Sequence, residues 1–384
     1  MDFVSFDPPV LLAHDHAQFV RYEPGSTSPN RREATAPTGP VFYVDASRGS
    51  DANPGNAPDQ AWKSLAKVNA SSLAPGAMVL FKRGETWTGT LAVPSSGMAG
   101  RPITFGAYGD GEDPVLKAPD GAKATVTLNN KRDVTFDNLQ IVGSEDTGLL
   151  LGNGARNVRV VETTVAHNRG SGIVIAGTAD NVVIDRSTIT GNGGYGVVHY
   201  HMNNTNQYIL NSEISNNGWR PDGVWSGWNG RIQSGEIAHN RIFNNGINGG
   251  EGKSHGLYHD HSQANSTLKI HDNVIHSNMR GAGILAKSST EIYNNIVYNN
   301  SNVGISTGQN QTTSVKYSIY GNEIFNNSGG FMEHLKGSGS ITLDMHDNTF
   351  YANKGRSAIT IADNITQNVR NNTISTVTKA NPTA

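Results

Sequence analysis

The chain has 384 residues, of which 36% are hydrophobic and 16% are charged, below the roughly one quarter typical of globular domains. A net charge of -2 excludes a global attraction to nucleic acid or to an anionic membrane, so a polyanionic partner would need a local cluster of cations. The absence of cysteine excludes disulfides and thiolate chemistry. No apolar run reaches the ~18 residues that span a membrane.

The first 40 residues are polar, and "PGSTSPNRREATAPTGP" within them predicts a flexible N-terminal arm. The opening residues "MDFVSFDPPVLLAHDH" lack a basic stretch followed by an apolar core, so the chain as given shows no signal peptide. A chain without cysteine nevertheless fits a bacterial-type exported protein. We therefore expect a secreted or periplasmic location.

Residues 41–120 change to short structured segments. The segment "AWKSLAKVNASS" predicts a short amphipathic helix, and "AMVLFKRGETW", "GTLAVPSS", "PITFGAYG" and "PVLKA" predict successive short strands. An open end of stacked strands would aggregate unless it were covered. We therefore expect residues 41–120 to form an N-terminal cap and the first coils of a larger array.

Residues 121–384 carry an internal repeat, in which each unit has a Gly-aliphatic strand, a turn, a second strand and an N-x-I-x-x-N step. Two series of asparagines recur every 22 to 33 residues, a period typical of solenoids. The first series is Asn211, Asn240, Asn273, Asn295, Asn322, Asn348 and Asn372; the second is Asn217, Asn245, Asn278, Asn300, Asn327 and Asn353. Stacked asparagines can hydrogen-bond along such a column.

This pattern resembles right-handed parallel β-helix proteins, specifically the carbohydrate-acting group that includes pectate lyases, alginate lyases and mannuronan epimerases. Leucine-rich repeats share the period but need an L-x-x-L-x-L frame that is absent here. The resemblance covers residues 42–375. It implies an all-β fold, a right-handed parallel β-helix of about ten or more coils with an N-terminal cap.

Polar side chains are concentrated on one outer face of the predicted β-helix. Aligning the coils on Gly172, Gly196, Gly223, Gly256, Gly283, Gly304 and Gly330 puts an inward apolar residue next in each coil, and alternation sends the second and fourth positions outward. The outward residues of the middle coils are Tyr200, Trp225, Tyr258, Asp260, Lys287 and His334. A polar, titratable middle between apolar ends is typical of an elongated binding cleft.

The third and fifth positions carry further polar or aromatic residues where aliphatic ones are expected. These are His199, His201, Ser226, Trp228, His259, His261 and Glu333. Either the strand bends outward and brings them to the cleft, or they form a buried hydrogen-bonded network. We expect His201 and His261, which lie nearer the turn, to be accessible.

The motifs "HYH" at 199–201 and "HDH" at 259–261 also invite a metal interpretation, since imidazoles and carboxylates are common ligands. In the predicted alignment they lie two coils apart, roughly 10 Å at ~4.8 Å per coil, and one ion with ligands at ~2 Å cannot bridge that distance. No acidic cluster points to calcium. A single H-x-H motif with Asp260 remains open as a metal site, and calcium remains open without a sequence signal for it. We nevertheless expect no metal and no other cofactor.

The favoured chemistry removes the C5 proton of a uronate, which requires a base, an acid for the leaving oxygen, and cations beside the carboxylate. In the resembling epimerases and lyases a "Y-G-F-D-P-H-D" segment carries such groups, and "HGLYHDH" looks like its relative, with Tyr258 where that family has aspartate and Asp260 where it has histidine. This predicts Tyr258 as the general acid, or as acid and base together, and His261 or His201 as the base. Lys287 and Arg280 would neutralise the carboxylate, and Asp260 would orient a histidine or the lysine.

Further residues are predicted to bind the substrate. They are Tyr200, Trp225, Trp228, Arg220, His255, His259, Arg280, His334 and Lys336. The expected partner is an acidic polysaccharide and not nucleic acid or a membrane. We also expect a monomer.

Three other functions remain open on the sequence. A glycoside hydrolase would use Asp260 with a second carboxylate about 5 to 9.5 Å away, for which Asp222 is the nearest candidate in the predicted alignment. A C5-epimerase would begin with the same proton abstraction as a lyase. A non-catalytic glycan-binding protein or phage tailspike would share the fold without the chemistry.

Overall fold

The computed structural model describes residues 38–221, 223–250, 253–260, 265–308, 313–334, 338–354 and 358–375. The predicted arm therefore lies almost entirely outside the described residues. The described chain winds through three parallel sheets in the repeating order C, A, B, with every strand pairing to its equivalent in the next coil. No helix in the described ranges has the length and apolarity to cross a membrane.

Sheet A forms the longest wall of the solenoid. Its strands are β1 Val41–Val44, β2 Met78–Lys82, β5 Ile103–Tyr108, β8 Arg132–Asp137, β11 Arg156–Val161, β14 Asp180–Asp185, the second half of β16 Val197–Leu210, β19 Ser234–Ala238, β22 Thr267–His271, β25 Thr290–Tyr293, β28 Val315–Tyr320, β31 Ile341–His346 and β34 Thr366–Arg370.

Sheet B is built from short strands that follow sheet A after a tight turn. They are β3 Thr86–Thr88, β6 Val115–Lys117, β9 Gln140–Val142, β12 Thr164–Ala166, β15 Thr188–Thr190, β17 Glu213–Ser215, β20 Arg241–Phe243, β23 Val274–His276, β26 Ile296–Tyr298, β29 Glu323–Phe325, β32 Thr349–Tyr351 and β35 Thr373–Ser375.

Sheet C begins each coil and carries the strand glycines. Its strands are β4 Leu91–Ala92, β7 Ala124–Leu128, β10 Thr147–Leu151, β13 Ile173–Ile175, the first half of β16, β18 Trp228–Ile232, β21 Leu257–His259, β24 Ile284–Ala286, β27 Val303–Gly308, β30 Gly329–His334 and β33 Ile359–Thr360. Because β16 passes through both walls, sheets A and C join into one 23-stranded sheet beside the 12-stranded sheet B. The predicted parallel β-helix is confirmed.

The N-terminal region contains the predicted short helix, α1 Leu65–Ala70, and a 3-10 turn at Pro58–Gln60. The side chain of Ser64 caps α1 by accepting a hydrogen bond from the backbone N–H of Lys67 at 3.1 Å. Leu65 and Val68 are the buried residues of α1, so the helix packs by one face.

A glycine recurs near the start of the sheet C strands because neighbouring coils approach each other closely at that point. A Cβ on Gly227 would lie 2.8 Å from the carbonyl oxygen of Gly256, and a Cβ on Gly256 would lie 2.6 Å from that of Gly283. The residue after each glycine faces inward and is apolar: Ile173, Val197, Trp228, Leu257, Ile284, Ile305 and Phe331 are all essentially buried. Alternation therefore sends the next residue to the outer face of sheet C.

Two columns of asparagines run through the interior at the two ends of sheet B. In the second column, Nδ2 of Asn245 donates to Oδ1 of Asn278 at 3.0 Å, and Asn278 donates in the same way to Asn300 at 3.0 Å. The predicted columns are present, with one correction. Asn211 is the left-handed turn residue, and Ser212 occupies the column, where its backbone N–H donates to Asn240.

Candidate active site

The outer face of sheet C between β16 and β24 carries the candidate site. The register pairs Asn229 with Tyr258 and Tyr258 with Leu285 on neighbouring strands. This corrects the predicted alignment of one coil, because Gly227 and not Gly223 is its strand glycine. The outward positions of that coil are therefore Asn229 and Arg231, and Trp225 lies in the turn before the strand.

The centre of the site is a hydrogen-bonded unit of three side chains from two adjacent coils. The Tyr258 hydroxyl donates to Oδ1 of Asp260 at 2.7 Å. Arg231 places Nε 3.3 Å from Oδ2 of the same carboxylate, which is 7% exposed. One carboxylate thus holds both the phenol and the guanidinium in place.

Lys287 lies beside this unit from the following coil. Its Nζ is 5.2 Å from the centroid of the Tyr258 ring, and its backbone N–H donates to the carbonyl of His259 at 2.8 Å. Burial lowers the pKa of the Lys287 ammonium, although the charge of Asp260 acts in the opposite direction. Lys287 therefore gives up its proton more readily than an exposed lysine does.

The pKa of the Tyr258 phenol is shifted in the opposite direction to that of Lys287. Burial first, then the hydrogen bond to Asp260 and the charge of that carboxylate, raise the pKa of Tyr258 far above the usual value for tyrosine. Tyr258 therefore keeps its proton across the physiological range, so it can donate a proton but cannot serve as the resting base.

An aromatic rim borders the centre on its N-terminal side. The Tyr195 and Trp225 rings meet edge to face at 5.2 Å, and Arg220 lies over Trp225 at 5.9 Å. Tyr195 also hydrogen-bonds Asn229, and burial raises the pKa of Tyr195 to about 12. Trp225 and Arg220, both predicted to bind substrate, therefore border the cleft beside the central unit.

Three predicted or considered residues instead lie inside the solenoid. Trp228 and His259 are fully buried, and His199 is 3% exposed. The ring centroid of Trp228 lies 6.0 Å from that of His199 and 6.1 Å from that of His259. Burial lowers the pKa of both histidines to about 4, so they are neutral at pH 7. Trp228 and His259 cannot touch a sugar on the outer face, which corrects their predicted role in substrate binding.

His255 also lies below the surface, at 5% exposure, with Nδ1 accepting a hydrogen bond from the Ala282 backbone N–H at 3.0 Å. Burial, with Lys287 nearby, lowers the pKa of His255 to about 3. Its ring lies 5.3 Å from that of Tyr258. His255 therefore lies beneath the outer face of sheet C and does not line the cleft as predicted.

The remaining predicted residues are distributed along the same face or at its edge. Tyr200 is exposed, as is His201, where β16 breaks register between His199 and Asn204. His201 lies two coils from Tyr258, roughly 10 Å along the axis. His334 lies on β30, two strands of sheet C beyond β24. Arg280 lies in the turn before β24, and its Nε donates a hydrogen bond to the Ile247 carbonyl at 3.4 Å. His261 and Lys336 lie outside the described residues.

Arg231, Asn229 and Tyr195 were missed by the sequence reasoning. Val224 and Trp228 are both apolar and both follow a glycine, so the rule of an inward residue after the strand glycine could not choose between the two alignments. The signal that could have separated them is the close glycine contact between coils, which Gly227 makes and which depends on three-dimensional stacking.

One group of side chains in the described residues could hold a metal ion, and it lies away from this face. Ligand atoms of His239, His271 and Asp272 lie within 4.8 Å of one another at the corner between sheets A and B. The two ring nitrogens of His271 lie 2.8 Å from Glu236 and 2.7 Å from Asp272, so carboxylates already engage them. This cluster plays no part in the chemistry of the sheet C face.

Stacked aromatic columns on the other two sheets are poor sugar platforms. Rings of Phe243, His276, Tyr298, Phe325 and Tyr351 follow one another at 4.7 to 5.0 Å and are nearly parallel. Each inner ring has both faces covered by its neighbours, whereas sugars stack on exposed ring faces. The columns therefore join neighbouring coils together through ring stacking.

A comparison with protein-family models matches residues 117–206 to the right handed beta helix region. A lacto-N-biosidase of Bifidobacterium longum is 34% identical over 148 residues, which is 37% of this chain and 9% of the relative. An alpha-1,3-galactosidase A of Akkermansia muciniphila is 37% identical over 83 residues, 21% of this chain and 14% of the relative. The chain thus spans about a tenth of the length of these curated relatives.

Solved structures share the architecture at low identity. Lacto-N-biosidase from Eubacterium ramulus has a TM-score of 0.57 at 15% identity, covering 88% of this chain and 68% of that one. Pectate lyase Pel9A has a TM-score of 0.53 at 15% identity, covering 85% and 78%. The Dettilon tailspike protein has a TM-score of 0.57 at 16% identity, covering 88% and 68%. The chain therefore has the right-handed β-helix fold that its repeats predicted, and it shares this architecture with a lacto-N-biosidase, a pectate lyase and a tailspike protein.

Proposed function

We propose that this protein is a carbohydrate-active enzyme that cleaves a uronate-containing polysaccharide by β-elimination on the outer face of sheet C. The observation that carries the proposal is the Tyr258–Asp260–Arg231 unit beside Lys287. It brings a proton donor, a nitrogen base and a guanidinium together in three adjacent coils.

Elimination needs each of these groups for a separate task. A base takes the proton from C5 of the uronate, the C4–O4 bond breaks, a C4–C5 double bond forms, and the leaving O4 receives a proton. A cation near the carboxylate stabilises the negative charge that develops during the first step. No water is consumed in the reaction.

Lys287 suits the base, because burial lowers the pKa of its ammonium. Tyr258 suits the acid, because its raised pKa keeps the phenol protonated until the leaving oxygen takes the proton. Arg231 suits the cation beside the substrate carboxylate, and Asp260 orients both Tyr258 and Arg231. In this assignment Lys287, predicted as a neutralising cation, becomes the base in place of His261 or His201. Arg231 takes the neutralising role that was predicted for Lys287 and Arg280.

The proposal is tested by incubating the protein with alginate, pectate, glucuronan and glycosaminoglycans while following the ultraviolet absorbance of an unsaturated uronate. We expect one polymer to give a rise, and Tyr258→Phe or Lys287→Met to reduce its rate by at least about 100-fold, the usual contribution of a general acid or base. Tyr298→Phe, in an aromatic column on sheet B, is the matched control and should leave the rate unchanged.

Glycoside hydrolysis is the second candidate, and the names of both curated relatives, a biosidase and a galactosidase, favour it. It would use Asp260 with a second carboxylate about 5 to 9.5 Å away. The candidate site lies on β16, β18, β21 and β24. Among the described residues of these strands and the residue directly after each strand, Asp260 is the acidic residue on the outer face of sheet C. Asp222 lies outside the described residues. New reducing ends without a rise in absorbance would establish hydrolysis and overturn elimination.

A further inference from the structure

A cavity of about 420 Å³ opens on the same outer face of sheet C, toward the N-terminal coils. Its lining consists of Thr90, Lys123, Ala124, Thr127, Asp146, Thr147, Leu150, Ser171, Val174 and Tyr200. No catalytic role proposed above uses it. Its size is within the range of small-ligand sites in proteins.

The register places this cavity in line with the candidate active site. Thr127, Leu150 and Val174 hold the same outward position on β7, β10 and β13, as Tyr258 does on β21. At ~4.8 Å per strand, Val174 lies three coils, about 14 Å, from Tyr258, and Leu150 lies about 19 Å away. Tyr200, from the intervening strand β16, forms the wall between the two regions.

The cavity combines an apolar floor with charged groups at its edge. Leu150 and Val174 form the floor, and the Tyr200 ring is 51% exposed beside them. Lys123 and Asp146 are exposed and lie directly before β7 and β10, so they occupy adjacent turns of the rim. Such a surface fits the C–H face of a sugar ring, with a cation for a carboxylate and an acceptor for a hydroxyl.

We infer that this cavity binds a non-reacting uronate residue of the substrate polysaccharide, three to four coils from the bond that is cleaved. The inference rests on the proposed function. The substrate chain runs along the solenoid axis over sheet C, with Tyr200 and the apolar floor under the sugar and Lys123 beside its carboxylate. Binding energy from this remote sugar then lowers the barrier at the reacting centre.

The test measures kcat/KM and, by calorimetry, the affinity for uronate oligosaccharides of increasing defined length. We expect a gain of about tenfold or more at the length that first reaches the cavity, comparable to the effect of one good pocket contact. Tyr200→Ala and Lys123→Met should both remove this gain, and Lys123→Met should leave turnover of the shortest cleaved oligosaccharide unaffected. Lys117→Met, an exposed lysine at the end of a sheet B strand, is the matched control.

The outcomes separate this inference from the proposed function. Turnover without a length-dependent gain, or a gain that survives in both variants, overturns the cavity assignment and leaves elimination intact. Binding that grows with length and depends on Tyr200, without turnover on any uronate polymer, supports the cavity and overturns elimination. Absence of both binding and turnover for the whole series overturns the cavity assignment as well.

Discussion

Asp260 is the residue on which the candidate site depends, because its two carboxylate oxygens engage partners from two coils. Oδ1 accepts the Tyr258 hydroxyl, and Oδ2 lies 3.3 Å from Arg231. Hydrogen bonds to a charged acceptor are stronger than neutral ones, so the carboxylate fixes the direction of both side chains. Trp228, which fills the interior of the neighbouring coil, fixes the strand that carries Arg231.

Asp260→Asn tests this role. The variant keeps the shape of the side chain but removes the charge that helps to raise the pKa of Tyr258. We therefore expect kcat to fall by about 100-fold and the alkaline ionisation of Tyr258 to move to lower pH. Rate–pH profiles and an ultraviolet titration of the tyrosinate measure the two effects.

Asp344→Asn, at a carboxylate on sheet A that pairs with Arg370, is the control for this substitution. An unchanged tyrosine titration in Asp260→Asn would contradict the assignment of Asp260 as the orienting group. Loss of activity in Asp260→Asn together with full activity in Lys287→Met would favour hydrolysis over elimination.

At the scale of elements, buried columns of asparagine side chains join neighbouring coils in addition to the apolar packing. In the middle of a column Asn278 donates to Ile242 at 3.1 Å and to Asn300 at 3.0 Å, and it accepts from the backbone and the side chain of Asn245. The columns are buried, so each member that is removed leaves donors and acceptors without partners.

Asn278→Ala should therefore lower the free energy of unfolding by about 2 to 4 kcal/mol, since several buried hydrogen bonds are lost at once. Asn248→Ala, at an exposed turn where the side chain makes one bond to Trp219, should cost less than about 0.5 kcal/mol. Denaturant unfolding of both variants measures the difference. Equal costs would show that the columns contribute little beyond a surface contact.

At the scale of the whole molecule, the interior is unusually polar, and the buried titratable groups respond to pH in opposite directions. Burial lowers the pKa of His199 and His259 to about 4, so the fold loses stability as the pH falls from 6.5 toward 4. Burial raises the pKa of Glu333 to about 7, so the fold loses stability as the pH rises from 4.5 toward 7. Each group contributes up to about 3 kcal/mol.

Glu333→Gln isolates one of these effects. Glu333 is 2% exposed, and its Oε1 has no hydrogen-bond partner among the described residues. The amide cannot ionise, so we expect the variant to gain about 3 kcal/mol over the wild type at pH 8 and almost nothing at pH 4. Denaturant midpoints across this pH range give the comparison.

The exposed Glu112→Gln is the control and should show no pH-dependent difference from the wild type. A gain in Glu333→Gln that is the same at pH 4 and pH 8 would mean that packing, and not ionisation, explains its stability.

Much of this architecture could be predicted from the sequence, because a solenoid repeats its local rules. The strand glycines, the inward aliphatic residues and the asparagine columns each recur once per coil, so one coil predicts the next. Asn211 shows the limit of this reasoning. Adjacent turn and column residues are chemically alike, and the backbone conformation alone assigns the column to Ser212.

By itself, the sequence determined the parallel β-helix. It also predicted a candidate site on the outer face of sheet C with Tyr258, Asp260 and Lys287 among its members, and the structure brings these three side chains close together. The tertiary structure alone decided that Trp228, His255 and His259 are buried, and that Arg231 contacts Asp260. For Trp228 and Arg231 the physical reason is the variable turn between residues 217 and 227. Its length changes the register of one coil relative to the next, and only the stacked contacts of neighbouring coils define that register.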